Sequence, residues 1–465
     1  MSVFSPSELA EWTGGRWTAT PVAPLAGFTM DSRQLRAGEV FVAIRTAQRD
    51  GHAFLAAAQA AGASAAIVAT PQPALALPQL VVADPLTALQ VIARTHRRAF
   101  TGPVVGISGS AGKTSTKNLL ALLLGGEAGG VLATEGNLNN HLGVPLTLTR
   151  LDPAVHKCAV VEAGISAPGE MSPLAAMIEP DVAINTLVAA AHTAELGGLE
   201  GVAREKAILP AAVREAGVAI FPRSSAEFPA FRDLGVRRMI IERAEVIRPE
   251  SPPSDRIYFT VTHRDDTTAV AVAYGLPPPL VFTLRRVSDG MAQNAVLAIC
   301  AALWLGVPHA RIQSRLSGWQ PAALRGEIRR EGNRLLYLDC YNANPASMAD
   351  ALSAFQAIAP AAQPRLYVLG CMEELGPDSA THHHMLGRSL GLRPGDRLFV
   401  IGDQANAVCA GVLENGDFTR QLQIVSTLEP VAACLAGWTG AVFVKGSRKY
   451  RLETILENQL AAAAH

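Results

Sequence analysis

A short apolar strand at residues 104–107 runs into Gly106-Ile107-Ser108-Gly109-Ser110-Ala111-Gly112-Lys113-Thr114-Ser115 and then into a helical pattern over 114–124. A strand that passes at once into a helix must return before it can pair again, which forces a parallel crossover and a sheet with helices packed on it. The loop itself has a physical use. Its small residues let backbone N–H groups curl around phosphate oxygens, and the helix N-terminus adds partial positive charge. Lys113 supplies a full charge, and the Thr114 hydroxyl can hold Mg2+. The strict G-x-x-x-x-G-K-[ST] pattern has Gly where this chain has Ile107, so a plain glycine turn capping a helix is the rival reading.

The same rhythm recurs along the chain. Upstream, a strand at 40–44 leads through Arg49-Asp50-Gly51 into an alanine-rich helix and a strand at 65–68, followed by a helix at 85–100. Thr101-Gly102-Pro103 reads as a linker. Strands at 159–162 and 182–185 continue the central pattern. Residues 256–261 and 268–273 read as an antiparallel embellishment inserted before a helix at 292–305. Gly and Pro punctuate Ser317-Gly318-Trp319-Gln320-Pro321. Beyond it come a strand at 335–339, a helix at 347–358 and strands at 366–369, 398–401 and 442–444. The chain is therefore expected to be α/β with three domains: 1–101, a central P-loop sheet over 102–318, and a smaller Rossmann-like unit over 319–465. The tail Ala461 to His465 is expected to fray.

A length of 465 residues suits several cores, and 49% hydrophobic against 17% charged residues excludes disorder. Lys+Arg at 40 balance Asp+Glu at 40, so no net field draws a polyanion and nucleic acid is not an expected partner. Six scattered cysteines without C-x-x-C spacing read as reduced thiols. Residues 1–17 carry Glu8 and Glu11 and lack a secretion pattern, and no run of roughly 20 apolar residues offers a membrane span. A cytoplasmic protein with small-molecule partners is expected. His382-His383-His384 is read as a solvated helix start, since three adjacent histidines do not converge on one ion.

From the loop onward the residues resemble the Mur ligase family, whose G-x-x-G-K-[TS] form is matched by Gly109 to Thr114. Thr134-Glu135-Gly136-Asn137-Leu138-Asn139-Asn140-His141-Leu142-Gly143-Val144-Pro145 is similar to T-x-G-N-x-N-N-x-x-G-V-P of the member that adds D-alanyl-D-alanine. Val161-Glu162-Ala163-Gly164 resembles the family's acidic motif, and His192 sits at its second metal-site position. Leu199 to Lys206 looks like the stretch whose lysine many members carry as a carbamate; a plain helix-surface lysine is the alternative. Asp339-Cys340-Tyr341-Asn342-Ala343-Asn344-Pro345-Ala346-Ser347 is similar to the D-x-Y-N-A-N-P-x-S signature of the dipeptide-adding member. Arg325-Gly326-Glu327, Glu374-Leu375-Gly376 with Ser379 and His383, and Lys445-Gly446-Ser447-Arg448 with Glu453 follow in order. Asp31-Ser32-Arg33 and Asp50-Gly51-His52 look like the uridine-nucleotide domain.

The resemblance implies an ATP- and Mg2+-dependent ligase that joins D-alanyl-D-alanine to UDP-N-acetylmuramoyl-tripeptide through an acyl phosphate, acting as a monomer. It implies Lys113, Glu162, His192 and Lys206 as catalytic, with Thr114, Glu162 and His192 on the metal. Nucleotide contacts would come from Gly109, Ser110, Ala111, Gly112, Lys113, Thr114, Ser115, Asn294, Arg325, Asp339, Asn342 and Asn344. Ser32, Arg33, Asn137, Asn139 and Asn140 would meet the substrate. Some positions depart from the family: Ala194 stands where many relatives have Glu, Ser288-Asp289-Gly290 replaces G-R-H before Asn294, and Thr46 and Cys371 replace a Gly and an Asp. The rival readings are a sister ligase adding one amino acid, whose D-N-P-R motif is absent, a folylpolyglutamate synthetase type, and a catalytically silent homologue.

Overall fold

The computed structural model describes residues 3–247, 254–275 and 277–456. Three sheets follow one another along the chain. The first has five strands in the order Arg16–Trp17, Gln79–Val81, Ala65–Val68, Val40–Val42, Phe28–Thr29, parallel except for its first pair. The second has nine, from Leu280–Arg285 through Thr267–Val272, Arg256–His263, Arg238–Arg243, Val218–Pro222, Val182–Asn185, Val104–Ser108 and Cys158–Glu162 to Val131–Ala133. The third has six, Glu327–Glu331, Arg334–Asp339, Ala441–Lys445, Arg365–Gly370, Arg397–Ile401 and Leu422–Val425. The tail 461–465 lies outside the described residues.

The central sheet is built as its sequence dictates. Val105 and Ile107 face Leu119, Leu120 and Leu123 of the helix Lys113–Leu124, while Val104 faces the opposite core with Leu174, Ile178 and Leu209. Strands buried on both faces read as continuous apolar runs, and this one is buried throughout. Each such leucine contributes roughly 1.5–3 kcal/mol on burial. At Gly106 a Cβ would come within 3.3 Å of Leu209 and Ile178, so the glycine allows close packing of this strand against them.

The expected embellishment is a correction. Arg256–His263 pairs parallel with Arg238–Arg243, and Thr267–Val272 and Leu280–Arg285 then add antiparallel to it, so these strands prolong the main sheet. Their alternating burial supplies one core face, with Phe259, Val270, Val272 and Phe282 beneath the helix Asp289–Trp304. Side chains cover the exposed edge: Gln313 bonds both the N–H and the carbonyl of Thr283, and His309 reaches the Val281 carbonyl.

Two joints hold the sheets together. Arg97, on Pro85–Ala99, is fully buried and donates to the carbonyls of Ile178 (2.8 Å) and Glu179 (2.8 Å) and to the Asp181 carboxylate (3.0 Å). This ties the first sheet's helix to the central sheet. The second joint, between the central and third sheets, carries the site.

Candidate active site

The loop after Val104–Ser108 leaves the sheet where its neighbours also end, with Ile107 paired to Glu162 and Ser108 to Asn185. Gly109 (φ +144°) and Gly112 (φ +81°) take left-handed backbone, and a Cβ would strike Thr186 at the first and the Asn294 amide at the second. Residues 186–189 brace the turn. The Ser110 N–H donates to Leu187 O at 2.8 Å, its hydroxyl to Ala189 O at 2.8 Å, and the Thr186 hydroxyl to Ala111 O. Lys113 opens the following helix and bends back so that its Nζ donates to Gly109 O at 2.8 Å. Loss of solvation lowers its pKa, the Glu162 carboxylate opposes that, and Arg325 adds to it.

Glu162 is 1% exposed at its strand end. Its Oε1 accepts from the Thr114 hydroxyl (3.2 Å) and from Asn139 Nδ2 (2.8 Å), and its buried Oε2 has no hydrogen-bond partner. An orphaned carboxylate oxygen beside a hydroxyl is a hard oxygen donor set, which fits Mg2+. Among the described residues no three His, Cys, Asp or Glu side chains form a ready cage. A small ion here would therefore complete its shell with water and phosphate oxygens, as Mg2+ prefers.

The third sheet reaches into this place. Asn344 caps Pro345–Ile358 through Oδ1, and its Nδ2 donates to Ser110 O at 3.2 Å, so the residue that starts this helix also grips the phosphate loop. Arg325 donates to the Thr114 hydroxyl at 3.3 Å and lies 4.0 Å from the Tyr341 ring centre. Lys445 pairs with Asp339 and donates to Asn342 O at 3.3 Å. Together these groups wall a cavity of about 270 Å³ that holds residues 110–115, Asn137, Asn139, Glu162, Asn294, Arg325, Asp339, Tyr341, Asn342 and Asn344.

Other expected residues lie elsewhere. His192 takes a left-handed backbone (φ +54°), and its Nδ1 pairs with Glu374 at 2.8 Å, across the joint from the third sheet. Burial lowers its pKa, Glu374 opposes this, and Lys206 and Lys113 reinforce it. Lys206 is 3% exposed, so the alternative of a surface lysine does not hold. Burial drives its pKa well down, aided by Lys113 and opposed by Glu205. Asn140 accepts from the N–H groups of Leu142 and Gly143 at the entry to the helix Gly143–Leu148. Ser32 lies in a turn of the first sheet's unit, where Arg33 is ion-paired to Asp31 and largely exposed. Of the departures, Ser288 caps the helix Asp289–Trp304 and Gly290 N donates to Asp350 at 2.8 Å, while Ala194 packs against Gly376.

The histidine triplet needs correction. His383 is fully buried: its Nε2 accepts from the Met372 N–H (2.8 Å), so its Nδ1 carries the proton and donates to Ser379 O (2.7 Å). The helix face turns His383 inward between half-buried neighbours, a periodicity that triplet spacing hides. Sequence reasoning also gave no role to Lys117, Tyr341, Asp350 or Lys445. Tyr341 and Lys445 lie in or beside recognised motifs, whereas Lys117 and Asp350 carry no local signal.

Comparison with known proteins follows this geometry. Residues 24–97 match the profile "Mur ligase family, catalytic domain", 107–238 match "Mur ligase middle domain", and 324–448 match "Mur ligase, glutamate ligase domain". The chain is 30% identical over 454 residues, 97% of each chain, to UDP-N-acetylmuramoyl-tripeptide–D-alanyl-D-alanine ligase of Escherichia coli (strain K12). It is 28% identical to the protein of the same name from Bacillus subtilis (strain 168), covering 93% of this chain and 92% of that one. Among solved structures it is similar to MurF from Acinetobacter baumannii, with a TM-score of 0.85 at 28% identity over 98% of this chain and 99% of that one. An ADP complex of MurF ligase from Thermotoga maritima shares the fold, with a TM-score of 0.77 at 24% identity over 93% and 96% of the two chains.

His383 sets a pH dependence. Burial lowers its folded-state pKa, only partly opposed by the Ser379 carbonyl. The unfolded chain takes up a proton near the ordinary value of about 6.5 while the folded form does not, so stability is full above that pH and lost as pH falls below it. Unfolding midpoints measured from pH 7.5 to 5.5 are expected to fall for the wild type and to fall less steeply for His383→Gln; equal slopes contradict the buried neutral imidazole.

Proposed function

The chain belongs to the Mur ligase family, and we infer that it is the ATP-dependent ligase that joins D-alanyl-D-alanine to UDP-N-acetylmuramoyl-tripeptide in peptidoglycan precursor synthesis. One observation carries this reading: the 339–347 signature of the dipeptide-adding member forms one cavity wall with the phosphate loop, and Asn344 bonds Ser110. Addition of a single amino acid is not favoured, because the relatives matched over nearly the whole chain are dipeptide ligases.

A carboxylate does not acylate an amine at neutral pH, since oxide would have to leave. Transfer of a phosphoryl group from ATP to that oxygen gives an acyl phosphate, and the D-alanyl-D-alanine amine then displaces inorganic phosphate. The chain's task is to bring anions together. We assign the N–H groups of 111–115 and the Lys113 ammonium to the phosphates, with Asn294, Asp339, Asn342 and Asn344 around the nucleotide. Arg325 brings a second cation from the third sheet to Thr114. Thr114 and Glu162 would hold Mg2+, which supplies charge neutralisation and orients phosphate oxygens. His192, outside the cavity lining but close enough to Lys113 for their charges to interact, is assigned to the far side of the loop, where Glu374 holds its ring. Asn137 and Asn139 face the acceptor, with Ser32 and Arg33 toward its uridine end and Asn140 shaping the segment.

Lys206 is assigned as the carbamylated lysine. A buried amine whose charged form is disfavoured is free to add CO2, giving a carbamate and a proton, and the new anion suits a place beside Lys113. No helix among the described residues is long and apolar enough to cross a membrane. We place the enzyme in the cytoplasm, where ATP and the nucleotide acceptor are made, as a monomer with domains 1–101, 102–318 and 319–465.

The test is incubation with ATP, Mg2+, UDP-N-acetylmuramoyl-tripeptide and D-alanyl-D-alanine, following phosphate and pentapeptide. Both products are expected, and phosphate release with a single amino acid but not the dipeptide contradicts the reading. Lys113→Ala is expected to lose at least about 10²–10³ in turnover; retained turnover sinks the loop assignment. Lys206→Ala is expected to lose activity that bicarbonate does not restore, whereas full activity in that variant removes the carbamate.

A further inference from the structure

Beneath the site lies a second lysine for which the reaction has no use. Lys117 stands one turn after Lys113 on Lys113–Leu124 and is 4% exposed. Its Nζ donates to Thr134 O at 2.5 Å. Thr134, itself buried, uses its other two polar groups as well: its N–H donates to Val160 O at 3.0 Å, and its hydroxyl accepts from Glu162 N at 2.9 Å. The segment that begins here returns to Glu162 through Asn139 Nδ2 at 2.8 Å, while Asn139 O accepts from Gly164 N at 2.7 Å. Between these fixed ends, Gly136 (φ +52°) and Asn137 lie on the cavity wall.

An ammonium removed from water costs free energy, and a leucine would fill the same helix face, as Leu119 and Leu120 do beside it. Burial lowers the Lys117 pKa and the Glu162 carboxylate opposes it, which sets this charge in the field of the site's own acid. What the lysine adds over an apolar residue is a directed bond to the one carbonyl where the 134–139 segment leaves the sheet. We propose that Lys117 is a positioning residue for the nucleotide-linked acceptor: by holding Thr134 it fixes the segment that presents Asn137 and Asn139 to the cavity, without touching substrate itself. This rests on the reading that the segment contacts the acceptor.

The test measures binding by titration calorimetry, with UDP-N-acetylmuramoyl-tripeptide and, separately, a non-hydrolysable ATP analogue. Lys117→Met is expected to weaken the acceptor about tenfold while leaving the analogue within about twofold. Its melting temperature is expected to stay within a few degrees of the wild type. Thr134→Val, which keeps Lys117 and removes the hydroxyl link to Glu162, is expected to show the same selective loss, and the double variant little more than either single one. Unchanged acceptor affinity in folded Lys117→Met, or equal weakening of both ligands, overturns the proposal. Should that variant not fold, unchanged acceptor affinity in folded Lys117→Gln, which carries no charge to the Thr134 carbonyl, does so. Asn139→Ala separates the two levels: acceptor binding equal to wild type there means that the segment's assignment has failed, not Lys117's role alone.

Discussion

Glu162 and Thr114 meet at the carboxyl ends of neighbouring strands, and that contact depends on the backbone around it. The Glu162 carboxylate reaches Thr114 because Ile107 and Glu162 are in register and because two left-handed glycines turn the chain at once into a helix. Shifting the pairing by one residue would send Glu162 to the opposite face. One carboxylate oxygen is left without a hydrogen-bond partner in a buried place, which is where the proposed cation would bind. On the proposed reading, the rest of the cavity offers the fixed positive charge and oriented N–H groups that a concentration of anions requires.

The third sheet joins this centre through a few polar links. Asn344 holds Ser110, Arg325 holds Thr114, Glu374 holds His192, and Asp350 holds Gly290. Each such bond contributes only about 0.5–1.5 kcal/mol net, or somewhat more where a charge takes part. The joint to the third sheet thus rests on exposed or half-buried polar links, whereas the first joint is held by the fully buried Arg97.

Legibility in the sequence followed the locality of the signal. The phosphate loop and the 339–347 segment are contiguous motifs, and the central strands lie where the apolar runs placed them. Short strands such as Phe28–Thr29 and Arg16–Trp17 are too brief to show alternation. The strands after 255 alternate as antiparallel ones do, but nothing local told that the first of them pairs parallel with Arg238–Arg243 and so extends the main sheet. The departures at Ser288 to Gly290 became intelligible only through a partner about sixty residues away, and Ala194 only through Gly376. His383 and Lys117 share one cause: a polar residue on a helix is read as solvated until the packed neighbour that accepts or donates its bond is known.

The most direct measurement follows oxygen. With the acceptor's terminal carboxylate labelled with oxygen-18 and all substrates present, transfer of a phosphoryl group to that carboxylate predicts that each phosphate released carries one labelled oxygen. Phosphate released without label, while pentapeptide still forms, would contradict activation of the acid in the cavity between loop and third sheet.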